Sequence, residues 1–331
     1  MTESIVTDHL LSRRSLLAAT GLGAAAALAG CSSAGGATDG GSADTVRLTH
    51  GPISVPKIRG ELDRALQRRG LKVRWIGPFP NHAPTLQAVA TGTADFSFGG
   101  SSTPADQAIL SGADVVYVAW ATTWPRTTAI LVRPSSGIAK VADLAGRTVA
   151  VNKAGLGEFL LVAALEKYQV PRERVKMLYM NPTEAASAFA SGKIDAWAIW
   201  EGFREIAEVR YGARAIFVEG DELDRQIDFR TYLVRRDYAR EHPDIVRAVI
   251  AAYQADQEWQ NAHFREAIEL GNGVSKYPQE VIDRLVQHRT TQKLRLMDDE
   301  GIEQLQYGAD WLAERGILSD RIKIADHAVK L

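Results

Sequence analysis

From Asp44 onward, short β-type runs alternate with helical stretches, and this alternation restricts the chain to α/β architectures built on mainly parallel sheets. The β candidates are Val46–Thr49, Asp95–Phe98, Val115–Trp120, Ala129–Val132, Thr148–Val151, Val175–Met180, Ile194–Ile199 and Ala215–Val218. Between the first two, Val55, Ile58, Leu62 and Leu66 line one helical face. Pro56 in the first turn and Gly70 past the end supply start and stop chemistry. A chain of 331 residues exceeds what one hydrophobic core normally serves, so two lobes are expected. An internal similarity supports this: Ala90, Thr91, Gly92, Thr93, Ala94, Asp95 aligns with Ala190, Ser191, Gly192, Lys193, Ile194, Asp195. Two lobes built alike would leave such copies.

Ahead of the alternating body lies a different composition. Arg13 and Arg14 precede a weakly apolar run from Leu16 to Gly30, too short to span a bilayer as a helix and suited to export. The arginine pair resembles a twin-arginine signal, and Leu28–Cys31 resembles a lipobox, in which the cysteine becomes acylated. Residues 1–30 are therefore expected to be a leader, Cys31 a lipid anchor on the outer face of the cytoplasmic membrane, and 31–43 a flexible tether of small polar residues.

Several function classes are excluded by what the chain lacks. Lys plus Arg number 39 against 40 Asp plus Glu, so no net field recruits nucleic acid. The single cysteine forbids an intramolecular disulfide and paired CxxC zinc sites. The seven histidines show no i, i+4 pairing, so no metal is expected, and no GxSxG, HExxH or P-loop motif occurs. No cofactor is implied.

In an open α/β sheet, ligands sit beyond the carboxyl ends of the strands, where helix N-termini present free N–H groups. Gly99, Gly100, Ser101, Ser102, Thr103, Pro104 follows Asp95–Phe98, offering close backbone approach and three hydroxyls. Ser54 begins the helix after the first strand, and Asn81 and His82 lie in another loop. Lys153, Gly155 and Gly157 form a glycine-bearing turn after Thr148–Val151. Trp200 and Glu201 close the strand from Ile194, and Trp124 offers a further apolar wall.

These residues resemble the periplasmic binding proteins for aliphatic sulfonates, within the sulfonate, nitrate and taurine group of type II solute-binding proteins. The most specific stretches are Asp143–Val151 and Asn181–Phe203, with His288, Arg289 and Thr290 also matching. The resemblance implies a two-lobed Venus-flytrap fold and no enzyme. It implies a monomer that captures a small anion and delivers it to an ABC permease and its ATPase. It places lobe 1 at 44–131 plus 232–331 and lobe 2 at 132–231, with Ala129–Arg133 and Arg230–Val234 as hinge. Ser101, Ser102, Thr103 and the amides near Ser54 and Gly155 would grip the anion, while Trp200 and Trp124 pack its carbon part. Where the family carries Gly, several Ser and His, this chain has Ala154, Gly155, Leu156, Gly157, Glu158, which exchanges hydroxyls for a carboxylate. Glu201 could meet an ammonium of a taurine-like ligand. Nitrate, bicarbonate, a thiamine-precursor pyrimidine and a desulfinase activity are the alternatives.

Overall fold

The computed structural model describes residues 44–331, so the leader, tether and Cys31 lie outside the described residues. β1 (Thr45–Thr49) leads to α1 (Val55–Arg59), α2 (Glu61–Gln67) and β2 (Lys72–Ile76). The single helix expected over Val55–Leu66 is broken at Gly60, whose φ of 68° ends α1. The break leaves Ile58 40% exposed while Leu62 and Leu66 remain buried. Next come α3 (His82–Ala90), β3 (Gly100–Ser101), α4 (Ser102–Leu110) and β4 (Val115–Thr122). Asp95–Phe98, expected as a strand, makes only an isolated parallel bridge between Phe96 and Leu48. Its backbone bonds are divided between Arg47 and Thr49 on one side and Leu233 on the other, so no ladder forms.

The chain continues through β5 (Ala129–Val132), β6 (Thr148–Val151), α5 (Leu156–Lys167), β7 (Lys176–Tyr179), α6 (Pro182–Ala190), β8 (Ala196–Ile199), α7 (Phe203–Tyr211), β9 (Arg214–Val218) and α8 (Glu219–Glu222). It closes with β10 (Phe229–Arg235), α9 (Arg236–Glu241), α10 (Pro243–Ala262), α11 (Phe264–Ser275), α12 (Gln279–His288), β11 (Arg295–Leu296) and α13 (Asp299–Glu314).

Three sheets result, ordered β1-β2, β11-β4-β10-β3 and β7-β6-β8-β5-β9. Pairing is parallel at β1-β2, β6-β7 and β6-β8, and antiparallel wherever β5 or β10 takes part. β4-β11 is also antiparallel; β5 and β10 are the strands that enter a sheet from its neighbour. The chain passes between the four- and five-stranded sheets through residues 123–128 and again through 223–228. Of the segments expected as hinge, Ala129–Val132 and Arg230–Val234 are strand residues inside the sheets, and these two crossings precede them.

Helices cover both faces of the five-stranded sheet, which explains its continuous apolar runs. Ile130, Val132, Val149, Val151, Ala196 and Ala198 enter one core cluster. The alternate residues Ala129, Leu131, Ala150, Trp197 and Ile199 enter the other. The internal similarity is structural as well. Asp95 accepts the Arg47 N–H at 2.7 Å and Asp195 accepts the Thr148 N–H at 2.8 Å. Each thus caps a neighbouring strand just after a helix that ends in a left-handed glycine, Gly92 or Gly192.

Candidate functional site

The residues around the two crossings converge into one polar cluster. Ser101, Ser102 and Thr103 open α4, but their hydroxyls turn inward. All three donate to Asp228 Oδ1, at 2.6, 3.2 and 2.9 Å, and the Thr103 N–H joins them at 3.1 Å. Asp228 is fully buried and serves as the N-cap that α4 lacks from its own chain neighbours. Burial raises its pKa, and the four hydrogen bonds work against that rise. The hydroxyls expected to grip a ligand therefore hold an internal carboxylate.

His82, also 5% exposed, donates from Nδ1 to the Ser101 carbonyl at 2.9 Å. A Cβ on Gly100 would stand 2.3 Å from its ring, so only glycine admits this contact. Burial lowers the imidazole pKa to about 4. The ring is neutral near pH 7, and Nε2 presents a lone pair without a protein donor. Asn81 caps α3 by position alone, and Ser54 stands likewise at the start of α1 without a side-chain bond.

A second group lies two residues along β10. Arg230 donates to Gln257 at 2.7 Å, Gln292 at 2.9 Å and the Tyr232 hydroxyl at 3.0 Å. Its guanidinium is 5.8 Å from the Trp124 ring, and the Arg289 guanidinium stacks on the same ring at 3.5 Å. Arg289 Nη2 pairs with Glu201 Oε2 at 2.9 Å. That pair is 16% and 28% exposed on its two sides, so it is neither a free surface bridge nor a sealed one. Burial raises the Glu201 pKa, and Arg289 opposes the rise. Burial lowers that of Arg289, and Glu201 and the neighbouring Arg230 act on it in opposite directions. The carboxylate expected to meet a ligand ammonium is thus engaged by an arginine. Trp200, half-buried beside it, meets Phe203 edge-on at 6.4 Å.

Two arginines, neither of them singled out in the sequence as a ligand group, therefore lie against Trp124. Every buried side-chain atom without a partner among the described residues belongs to this region: His82 Nε2, Trp124 Nε1, Glu201 Oε2, Glu219 Oε1 and Oε2, Asp228 Oδ2 and Arg289 Nε. For Glu201 the Arg289 contact is close but poorly aligned as a hydrogen bond. Orphaned polar atoms are costly in a packed interior and collect where a protein expects a guest.

Glu219 is 2% exposed, with only the Thr128 hydroxyl beside it, and burial pushes its pKa to about 8, reinforced by Asp228. The sign follows from proton uptake. The unfolded chain loses this proton near 4.5 and the folded chain near 8, so folding binds a proton in between and stability falls as pH rises through that window. Glu219→Gln is expected to flatten part of the decline in Tm across it. An unchanged slope in a thermal-melt series would contradict the assignment.

On the five-stranded sheet, the Lys153–Gly157 turn starts α5. Leu156 packs on the core cluster that holds Leu86 and Phe229, which brings this helix start against the other side of the molecule. Lys153 is exposed, with its ammonium 5.9 Å from the Tyr179 ring. The Gly157 N–H donates to Asn152 Oδ1 at 2.8 Å, and the Ala154 N–H donates to Glu158 Oε2 at 2.7 Å. The Gly155 and Leu156 amides find no acceptor among the described residues.

The family described as NMT1/THI5 like matches residues 66–267, more than half the chain. A Bacillus subtilis (strain 168) protein named "Putative aliphatic sulfonates-binding protein" is 29% identical over 304 residues, covering 90% of both chains. Among solved structures, the periplasmic aliphatic sulphonate binding protein SsuA from Escherichia coli superposes with a TM-score of 0.77 at 26% identity, covering 88% of this chain and 94% of its own. The alkanesulfonate-binding protein SsuA from Xanthomonas axonopodis pv. citri, bound to MOPS, gives 0.78 at 26% identity, with 87% and 99% covered. The α/β architecture is accordingly the two-lobed type II periplasmic binding fold.

Proposed function

Since the chain belongs to the NMT1/THI5-like family, we propose that it is an extracytoplasmic solute-binding protein that captures an aliphatic sulfonate between its lobes and presents it to an ABC permease. The names of its relatives supply the ligand class. The observation that carries the reading is Arg289, whose Nε–H has no protein acceptor while its face lies on Trp124 and the Arg230 guanidinium lies 5.8 Å from the same ring. A sulfonate needs donors, a cationic field and an apolar wall for its chain, and these three groups provide all of them. The Gly155 and Leu156 amides add donors from the start of α5.

Hydrogen bonds to a charged group contribute about 1.5–3 kcal/mol each, so a few suffice for micromolar affinity, about 8 kcal/mol, after ordering costs. Donors reach the guest from both lobes, so it binds the closed arrangement better, and that difference drives closure. Cys31 would hold the body at the membrane through its acyl chain, and the tether would give it reach. The only cysteine is Cys31, so residues 44–331 hold no thiol for a cysteine-dependent desulfinase.

Calorimetry with ethane- to octanesulfonate, taurine, nitrate and sulfate tests the reading. Affinity is expected to rise with chain length by up to about 0.8 kcal/mol per buried methylene, and nitrate, with no carbon body, should bind at least about tenfold more weakly than hexanesulfonate. Equal affinity for nitrate and hexanesulfonate, or no sulfonate binding below millimolar, would overturn it.

A further inference from the structure

The turn that opens α5 is held by a hydrogen-bonded chain that reaches far outside it. Glu158, 3% exposed, is the third residue of α5 and folds back past the N-cap to accept the Ala154 N–H at 2.7 Å on Oε2. Its other oxygen accepts the Tyr179 hydroxyl at 2.7 Å and Arg172 Nη2 at 3.2 Å. Arg172 in turn donates from Nη1 to the Arg315 carbonyl at 2.8 Å, just past the end of α13. Arg315 is itself fixed by a two-pronged bond to Glu166 of α5, at 2.5 and 2.6 Å. Ala154 sits at φ +45°, a left-handed conformation that is costly for a non-glycine residue and persists only where neighbours impose it.

We infer that Glu158 and Arg172 act as a positioning pair for the anion site: Glu158 fixes which amides of the turn remain free, and Arg172 cancels the charge that Glu158 brings beside them. The inference rests on the proposed capture of a sulfonate at this turn. With the Ala154 amide turned to Glu158 and the Gly157 amide to Asn152, the amides of the turn left without a protein acceptor are those of Lys153, Gly155 and Leu156. A buried carboxylate at the mouth of an anion site would repel the guest unless compensated. Arg172 is the cation that contacts it, and its anchorage on Arg315 keeps it in place.

Removing Arg172 should therefore harm binding because Glu158 remains, and neutralising Glu158 should undo the harm. In calorimetry with hexanesulfonate, Arg172→Met is expected to weaken affinity about tenfold. Arg172→Met with Glu158→Gln should recover most of that loss, and Glu158→Gln alone, which leaves Arg172 uncompensated, should bind at least as tightly as the unmodified protein. Arg172→Lys, which keeps the charge and guards against a misfolded methionine variant, should stay within about threefold of the unmodified protein. If the double variant binds no better than Arg172→Met, the pair does not act through charge and the inference is overturned. A ligand-free readout separates this from failure of the sulfonate reading. The Ala154 amide proton, donating to a carboxylate, should move upfield in Glu158→Gln and hold its place in Arg172→Lys. An Ala154 resonance indifferent to Glu158→Gln would also overturn the inference, whatever the ligand.

Discussion

Arg289→Met is expected to abolish useful sulfonate affinity, raising Kd by at least about 100-fold, read by calorimetry with hexanesulfonate. The substitution removes the unpartnered Nε donor and the cation stacked on Trp124, and it leaves Glu201 without its counter-charge. Truncating one partner of a partly desolvated charged pair at a binding site costs about 2–5 kcal/mol. Here the guest would additionally face an uncompensated carboxylate. Arg289→Lys separates these contributions: it keeps the charge and loses the planar stack and the fork, so it should fall between, about tenfold weaker than the unmodified protein. Glu201→Gln added to Arg289→Met should recover any lost thermal stability and only the part of the affinity lost to the bare carboxylate, leaving Kd well above that of the parent. Should Arg289→Met bind hexanesulfonate as tightly as the parent, Arg289 plays no part in capture.

The second large effect concerns folding. Asp228→Ala is expected to destabilise the protein by about 3–5 kcal/mol, since four donors from Ser101, Ser102 and Thr103 converge on one oxygen that the substitution deletes. In a body of this size that corresponds to a Tm lower by on the order of 10 °C. Asp228→Asn keeps an acceptor oxygen and should cost about half as much. If Asp228→Ala melts within a degree or two of the parent, Asp228 does not cap α4 in the way its geometry implies.

The contrast between these two sites shows what a sequence can carry. Strands β5 and β6 coincide with the expected runs because both faces of their sheet are covered, so every position is apolar and the run stands out locally. The copies at Ala90–Asp95 and Ala190–Asp195 are legible for a similar reason, since helix stop, glycine and strand-capping aspartate are neighbours in the chain. The apolar spacing on either side of Gly60 reads as one helix, and only the left-handed conformation at Gly60 reveals the break.

The polar partners of the expected site residues were not legible in the sequence. Ser101–Thr103 do stand beside the crossings, but the carboxylate that claims their hydroxyls lies 125 to 127 residues downstream. No local pattern announces Asp228, which merely precedes a strand. Arg289 stands out only as part of the family resemblance and Arg230 only as an end of the expected hinge, and the fold alone lays both against Trp124. Glu158 is the reverse case. Its departure from the family pattern was visible in the sequence, but its purpose depends on Arg172 and Tyr179, which reach it only in three dimensions.

The most direct test of capture is a crystal structure of the protein grown with hexanesulfonate. The account predicts density for the sulfonate group within hydrogen-bond distance of Arg289 Nε, with the hexyl chain against Trp124. A sulfonate found elsewhere, with Arg289 still turned only to Glu201, would contradict it.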